Sequence, residues 1–325
     1  MATQGENCTP LPGTMNSPLT HGCHRLILKA LRRLVPLGIL GCILLDVSSA
    51  LAHAPPGAMI RAVHLDVGEI PIVDGELHDW EGIAPVARSS DFSDLVSGAE
   101  ADLDDLDLRV WIGWSDTENR LYIAAEVADD IHQVDRPAGT APTRIFQDDD
   151  LEVFIDADHS GGQFADFSDL SPDEQLASNG AQANHFVLAG PHEDDVEFVN
   201  FSAAAWYSLR DGQYTEARVE YEGTPGGGGV TRYEMSLVPF DRVNVTADFL
   251  STAHDLQAGQ VMGFNLEFSD FDTHAELFDA KWSLSGGFNA FRLAERFTDL
   301  RLEAPATATV AKDLSWGRIK ASFRP

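Results

Sequence analysis

The amino-acid sequence predicts an all-β protein, an antiparallel, jelly-roll-like β-sandwich that occupies residues 60–303 as a single domain. Apolar and polar residues alternate over 121–127 and again over 151–155, which is typical of strands with one buried face. Short segments of this kind are separated by turns rich in Gly, Asp and Asn, and helical periodicity is almost absent.

About eleven strands are expected along the domain, each a short run of alternating or apolar residues. They lie near 60–65, 106–114, 121–128, 151–156, 184–188, 196–201, 215–221, 232–238, 263–269, 280–284 and 298–303. The polar segment 157–183 is expected to hold a short helix around 172–176. A connection of this length inside a domain usually has a function or lacks fixed structure.

Residues 1–54 are predicted to be a leader that contains a signal peptide. Four basic residues at 25–33 precede an apolar run at 35–45, and the A-x-A cleavage pattern occurs twice within 50–54. The run is shorter than the roughly 20 residues that span a bilayer, so no transmembrane segment is expected after cleavage. The sequence therefore predicts a bacterial-type protein that is secreted, periplasmic or held at the cell surface. An uncleaved anchor and lipidation at Cys42 remain alternatives.

Composition narrows the range of partners. The chain carries 22 Lys and Arg against 52 Asp and Glu, a formal net charge of −30 at pH 7. Such a charge repels nucleic acids and anionic membranes, and it favours Ca²⁺ and neutral ligands, although adaptation to salt explains it equally well. The 3 cysteines all lie in the leader, so disulfides, thiolate metal sites and cysteine catalysis are not expected in the domain.

The C-terminal segment 304–325 differs from the acidic domain before it. A Pro/Ala/Thr linker leads to the basic and aromatic end DLSWGRIKASFRP. Two interpretations stay open, a docking or sorting tail and an additional strand that covers a sheet edge.

Two groups of acidic residues predict structural Ca²⁺. Asp156, Asp158 and Ser160 are spaced two apart and are followed by a glycine, which suits a tight turn of oxygen ligands. The second group includes Asp129 and Asp149, each beside another Asp. A strand-end turn without a metal is the alternative for this second group.

The sequence holds no motif that predicts catalysis. No H-E-x-x-H or G-x-S-x-G pattern occurs, and acidic residues are too frequent for a glycosidase pair to be selected from them. We therefore expect a protein that is not an enzyme. From the residues alone, Trp206 is a candidate for stacking against a ligand, because it lies in a loop-like segment.

Six short elements of the domain occur in a recognisable order. They are Ile72-Val73-Asp74-Gly75 with Trp80, Leu121-Tyr122 with Asp129 and Asp130, Asp149-x-x-Glu152-x-Phe154-x-Asp156, Tyr233-Glu234 with Pro239, Gly263-Phe264-Asn265, and Trp282-Ser283 with Phe297 to Leu302. In these elements the chain resembles the family 9 carbohydrate-binding modules and their DOMON-like relatives, over about residues 70–303.

This resemblance implies a sugar site. Family members hold a sugar ring between two tryptophans, whose positions correspond here to Phe146 and Phe291. The resemblance also assigns a hydroxyl-binding carboxylate to Glu152 and an amide contact to Gln182. Asn184 is a further candidate, although it and Phe186 fall near two positions where the family usually has Arg and Asn. Structural Ca²⁺ is a further property of the family.

The expected function is that of a secreted, non-catalytic protein that binds an oligosaccharide or polysaccharide, with a separate glycoside hydrolase as partner. One alternative is a haem-binding electron-transfer domain, for which Met235 and Met262 would be the candidate ligands in the strands. Another is a surface-assembly module whose sugar site has decayed.

Overall fold

Fifteen strands, one short α-helix and six 3-10 turns occur in the described part of the computed structural model, which comprises residues 55–305 without 101, 225 and 274–276. The first eight strands are β1 (Met59–His64), β2 (Ala87–Arg88), β3 (Ser93–Asp94), β4 (Leu106–Ser115), β5 (Arg120–Asp129), β6 (Asp150–Asp156), β7 (Asn184–Ala189) and β8 (Phe198–Asn200). The others are β9 (Thr215–Gly223), β10 (Gly229–Leu237), β11 (Phe240–Arg242), β12 (Thr252–Ala253), β13 (Val261–Asp270), β14 (Ala280–Ser283) and β15 (Thr298–Leu302). The helix α1 spans Pro172–Ser178.

The all-β fold class is confirmed, and each of the eleven expected strands is present. The expected helix is also present as α1, where Ser171 and Glu174 form a capping box and Pro172 occupies the first turn. The strands that the sequence did not predict are β2, β3, β11 and β12. They are two or three residues long, too short for alternation to be recognised.

The strand β1 belongs to both sheets of the sandwich. The first sheet runs β8-β7-β6-β13-β15-β1, and the second runs β1-β4-β5-β10-β9. The residues Met59–Ala62 pair with β15, and Val63 and His64 pair with β4. Both pairings are parallel, whereas the other strand pairs of the described residues are antiparallel. Parallel neighbours are allowed here because long connections, not hairpins, join β1 to them.

The main core lies between the two sheets. On β6, Leu151 and Val153 point into it, and on β13, Phe264 and Leu266 do the same, all of them at most 1% exposed. The intervening residues of these strands face outwards, as period-2 alternation requires. Thus the outer face of the first sheet carries the polar side chains of β6, β13 and β14.

The buried carboxylate of Glu234 fixes the N-terminal segment to the outer face of the second sheet. Its Oε1 accepts a hydrogen bond from the indole of Trp80 at 3.0 Å, and its Oε2 accepts the backbone N–H groups of Asp74 and Gly75, each at 3.0 Å. Gly75 has a φ of 85°, and a Cβ there would lie 2.4 Å from the Cγ of Glu220. The Asp-Gly and Trp of one sequence element are therefore bound to the Glu of another.

The predicted leader, 1–54, and most of the C-terminal segment, 306–325, lie outside the described residues. Signal cleavage, the lipidation alternative at Cys42 and the role of the tail stay predictions. In the part of the chain that the structure describes, no helix has the length and apolar character needed to cross a membrane.

Candidate functional site

A cavity of about 610 Å³ opens on the outer face of the first sheet. Its walls are mainly phenyl rings, contributed by Phe146, Phe201, Phe278, Phe288 and Phe291. We call this cavity the aromatic pocket. Two rim residues, Asp166 and Asn289, hold positive φ angles of 61° and 70°. Such conformations are uncommon away from glycine and cluster at ligand sites.

The floor of the aromatic pocket is a buried ionic network. Glu152 of β6 and Glu267 of β13 are directly opposite each other in the sheet register, an arrangement that is unfavourable for two like charges. The ammonium of Lys281, on the adjacent β14, forms an ion pair with Glu152 and lies 3.4 Å from Glu267. It also donates a hydrogen bond to the hydroxyl of Ser269 at 3.2 Å. The lysine thereby compensates the two carboxylates.

The two carboxylates differ in protonation because their surroundings differ. Burial opposes ionisation of Glu152, but the charges of Lys281 and His185 outweigh it and lower the pKa of Glu152. Burial raises the pKa of Glu267 to about 7, since the charge of Glu152 adds to the effect and Lys281 only partly offsets it. Glu152 is therefore the permanent anion of the floor.

His185 lies between two aromatic rings and reaches the same network. Its ring stacks on Phe154 with centroids 4.2 Å apart and on Phe201 with centroids 4.8 Å apart. Its Nε2 is 2.6 Å from Oε2 of Glu152. The two rings fix the plane of His185, whose Nε2 therefore stays close to Glu152 at the floor of the pocket.

Three residues that the sequence singled out meet in this pocket. Phe146, Phe291 and Glu152 all line the cavity, although they come from three distant segments of the chain. Their roles in sugar binding stay predictions, since the geometry brings them together without a ligand to test them.

The other three candidates are not among the residues that line the pocket. The amide of Gln182 donates to the carbonyl of Gly161, and the buried amide of Asn184 donates to the carbonyl of Gly180 at 2.8 Å. The indole of Trp206 donates to the carbonyl of Asn244 at 3.0 Å, and its ring packs edge-on against Tyr214 and Phe240. Protein contacts therefore already engage these three side chains.

Sequence reasoning missed several residues of the pocket. Glu267, Lys281, Phe278 and Phe288 line the pocket but were not among the candidates taken from the sequence. Alternation does place Glu267 and Lys281 on the outer face, but it cannot show that loops then cover this face. The signal available was the pair of charged residues beside Phe268 and Trp282, which point into the core.

The first predicted calcium loop is stabilised by its own turn contacts. The carboxylate of Asp156 accepts the backbone N–H of Gly161 at 2.7 Å and the hydroxyl of Ser160 at 3.4 Å. Asp158 is exposed and accepts the N–H of Ser160 at 3.2 Å. Whether this loop also binds Ca²⁺ stays a prediction.

A larger concentration of carboxylates lies where β5, β6 and β13 meet. This acidic cluster consists of Asp105, Asp129, Asp130, Asp149, Asp270 and Asp272. Oxygen atoms of Asp129, Asp270 and Asp272 lie within 4.8 Å of one another, and so do those of Asp105, Asp130 and Asp272. The sequence predicted Asp129 and Asp149 here, but the contributions of β13 depend on strand pairing that it does not reveal.

The acidic cluster raises the pKa values of its own members. Burial raises the pKa of Asp129 to about 8 and that of Asp270 to about 9, and neighbouring carboxylates add to both effects. Burial and the charges of Asp105 and Asp130 raise the pKa of Asp272 to about 6. Both carboxylate oxygens of Asp270 and one of Asp272 are buried and have no hydrogen-bond partner among the described residues.

Comparison with known proteins yields one family and several structures. The family model described as "Carbohydrate family 9 binding domain-like" matches residues 73–303. The chain is similar to a family 9 carbohydrate-binding module from Caldicellulosiruptor kristjanssonii in complex with cellotriose, with 16% identity, a TM-score of 0.49, and coverage of 78% of this chain and 97% of that chain. A structure of such a module from the same organism in complex with glucose gives 17% identity, a TM-score of 0.48, and coverage of 77% and 98%. Among curated proteins, none matches the chain.

Proposed function

The chain belongs to the carbohydrate family 9 binding domain-like family, and we propose that it is a secreted, non-catalytic protein that binds a sugar in the aromatic pocket. The observation that carries the proposal is the convergence of Phe146, Phe291 and Glu152 on one cavity. Phe291 is 48% exposed, and the ring contacts among the described residues involve neither it nor Phe146. Both rings are therefore available to cover the apolar faces of a pyranose.

The polar groups of the pocket suit hydroxyl groups. Glu152 stays ionised and offers acceptor capacity, and its position is fixed by His185 and Lys281. A floor in which cation and anions compensate each other attracts neither strongly anionic nor strongly cationic ligands. Together with a net charge of −30, this favours a neutral oligosaccharide or polysaccharide.

Glycan binding by the purified protein in Ca²⁺-containing buffer tests this function. An array of neutral oligosaccharides and polysaccharides would identify the ligand, and isothermal titration calorimetry would compare the native protein with Phe146→Ala and Phe291→Ala. Each substitution is expected to weaken binding about tenfold, because one stacking face is lost.

Phe249→Ala is the matched control, since this ring is 82% exposed and does not line the cavity. Its affinity should equal that of the native protein. A folded protein that binds no glycan would contradict the proposed function, as would unchanged affinity in both pocket variants.

We also propose that the acidic cluster holds structural Ca²⁺. The donor set fits, since hard cations take six to eight oxygen ligands and the buried oxygens of Asp270 and Asp272 have no protein donors among the described residues. Asp129, Asp270 and Asp272 would hold the ion, which would neutralise their charge and stabilise the ends of β5 and β13. His132, near Asp129 and Asp149, is not an oxygen ligand and is assigned no part.

Haem binding is not favoured by the positions of the candidate ligands. Met235 and Met262 are 1% and 0% exposed and pack in the main core between the sheets. Neither sulfur atom borders the aromatic pocket. The purified protein is therefore expected to lack a Soret band, and a Soret band would revive the electron-transfer alternative.

Export rests on the leader pattern of residues 1–54. Fractionation of the producing cells, with sequencing of the mature N-terminus, would test it. Cleavage near Ala52 or Ala54 is the expected result, and an intact leader on a cell-associated protein would favour the anchor alternative.

A further inference from the structure

The aromatic pocket offers more apolar surface than an unsubstituted sugar ring can contact. Two rings, Phe146 and Phe291, suffice to cover the two faces of a pyranose. Three further phenyl rings, Phe201, Phe278 and Phe288, line the same cavity. A sugar hydroxyl that loses water against these rings without gaining a hydrogen bond is destabilised, so the additional rings disfavour a ligand that is polar throughout.

The floor offers few unengaged hydrogen-bond groups that could satisfy additional hydroxyls. The ammonium of Lys281 is directed to Glu152, Ser269 and Glu267. Oε1 of Glu267 already accepts hydrogen bonds from the amide of Asn265 and the hydroxyl of Ser283, each at 3.1 Å. Glu152 is engaged as well, since its Oε1 accepts hydrogen bonds from the ammonium of Lys281 and, at 3.4 Å, from the hydroxyl of Ser269. Only the remaining lone pairs of the two carboxylates are left as acceptors on the floor.

One buried acceptor at the wall does lack a partner. Oδ1 of Asn179, at the end of α1, lines the cavity and has no hydrogen bond among the described residues. It would accept a hydrogen bond from one hydroxyl of the ligand. The polar contacts are thus enough for one sugar ring, whereas the apolar wall extends beyond it.

The volume of the cavity agrees with a ligand that has a polar sugar ring and an additional apolar group. A volume of about 610 Å³ lies within the roughly 300–1,000 Å³ of pockets that hold drug-sized ligands. Phe288, 66% exposed, and Val96, 53% exposed, both line the cavity as apolar residues that solvent reaches. The space that one pyranose leaves unfilled is therefore bordered by apolar side chains.

Building on the proposed function, we infer that the aromatic pocket binds a sugar that carries an aromatic substituent. The sugar ring lies between Phe146 and Phe291, with hydroxyls directed to Glu152 and Asn179. The aromatic group lies against Phe278 and Phe288. The ligand class is thus an aryl glycoside or an aromatic ester of a sugar.

Calorimetric titration with matched glycosides tests the inference. The probes are methyl and phenyl β-D-glucopyranoside, the same two glycosides of any sugar selected by the array, and phenol. The phenyl glycoside is expected to bind about tenfold more tightly than the methyl glycoside, because a buried aromatic group adds apolar contact area. Phe288→Ala should reduce this ratio to about twofold, because it weakens binding of the phenyl glycoside more than binding of the methyl glycoside.

The outcomes separate this inference from the proposed function. Equal affinity for the two glycosides would overturn the inference and leave sugar binding intact. Phenol that binds as tightly as the phenyl glycoside would contradict both, since the sugar would then contribute nothing, and binding of no probe and no array glycan would also contradict both. Phe288 is 66% exposed, so its removal is not expected to disturb folding, and Phe249→Ala again serves as the control.

Discussion

Two carboxylates with the same burial have opposite surroundings in this protein. Glu234 on β10 and Asp270 on β13 are both 1% exposed. Three N–H donors satisfy Glu234, whereas Asp270 has no hydrogen-bond donor among the described residues and faces Asp129 and Asp272. The comparison teaches that burial alone does not determine the role of an acidic residue. Glu234 is satisfied by donors of the protein itself, whereas Asp270 has carboxylate neighbours that the proposed Ca²⁺ would neutralise.

The largest effect on stability is expected from a substitution at Glu234. The substitution Glu234→Ala removes the acceptor of the Trp80 indole and of two backbone N–H groups, so unfolding free energy should fall by about 3–5 kcal/mol. Urea denaturation in saturating Ca²⁺ measures it. Glu222→Ala on the neighbouring β9 is the control, since its side chain is 78% exposed and its loss should change stability little. A loss of less than about 1 kcal/mol for Glu234→Ala would contradict the structural role assigned to Glu234.

Removal of Ca²⁺ should have the second-largest effect on stability. At about 100 times its Kd, a ligand that binds only the folded state contributes about 2.7 kcal/mol, which corresponds to about 5–10 °C in Tm for a domain of this size. Differential scanning calorimetry with and without chelator measures the shift. The Glu234→Ala protein should show the same shift, because its carboxylate is not part of the acidic cluster. An identical Tm with and without chelator would mean that the cluster holds no structural ion.

The pH dependence sharpens the comparison further. The pKa values of Asp129 and Asp270, about 8 and about 9, lie above those of the unfolded chain, so the folded state binds protons more tightly. These two carboxylates should therefore make the chelated protein lose stability as the pH rises from about 4, near their pKa in the unfolded chain, to about 8. Saturating Ca²⁺ should flatten this slope, since it favours the ionised carboxylates. Stability of the chelated protein that increases over this range would contradict the assignment.

The smallest effect on stability is expected from the substitution of Asp270 by asparagine. Asp270→Asn replaces a carboxyl group by a neutral amide that can donate to the neighbouring Asp129 and Asp272, so the chelated protein should gain about 1 kcal/mol while its response to Ca²⁺ decreases. Thermal unfolding at pH 8 compares it with Asp66→Asn, whose carboxylate is 78% exposed. A destabilised Asp270→Asn protein in chelator would show that Asp270 is already satisfied.

The strands could be predicted because alternation is a local property of the sequence. Residues such as Leu151 and Val153 mark the core side of a strand without any knowledge of its partners. By the same alternation Glu234 and Glu267 belong to the solvent-facing sides of their strands, yet they are only 1% and 3% exposed. Loops and the segment that includes Trp80 cover those faces, and such coverage is decided by tertiary structure.

The residues of the candidate site could be predicted only in part, for the same reason. The resemblance located Phe146, Phe291 and Glu152, which share one pocket. Lys281 could not be found, because its pairing with Glu152 requires the lateral order β6-β13-β14, which periodicity does not contain. Asp270 was likewise unassigned, since its neighbours in the acidic cluster come from other strands.

The shared strand β1 has a consequence for how the chain folds. Met59, near the start of the domain, pairs with Asp299 near its end, so this contact closes almost the whole domain sequence. Contacts of such large sequence separation form late and slow down folding. During synthesis β1 has no partner in the first sheet until Thr298–Leu302 has emerged. Completion of the sandwich is thereby postponed until the whole domain has been translated.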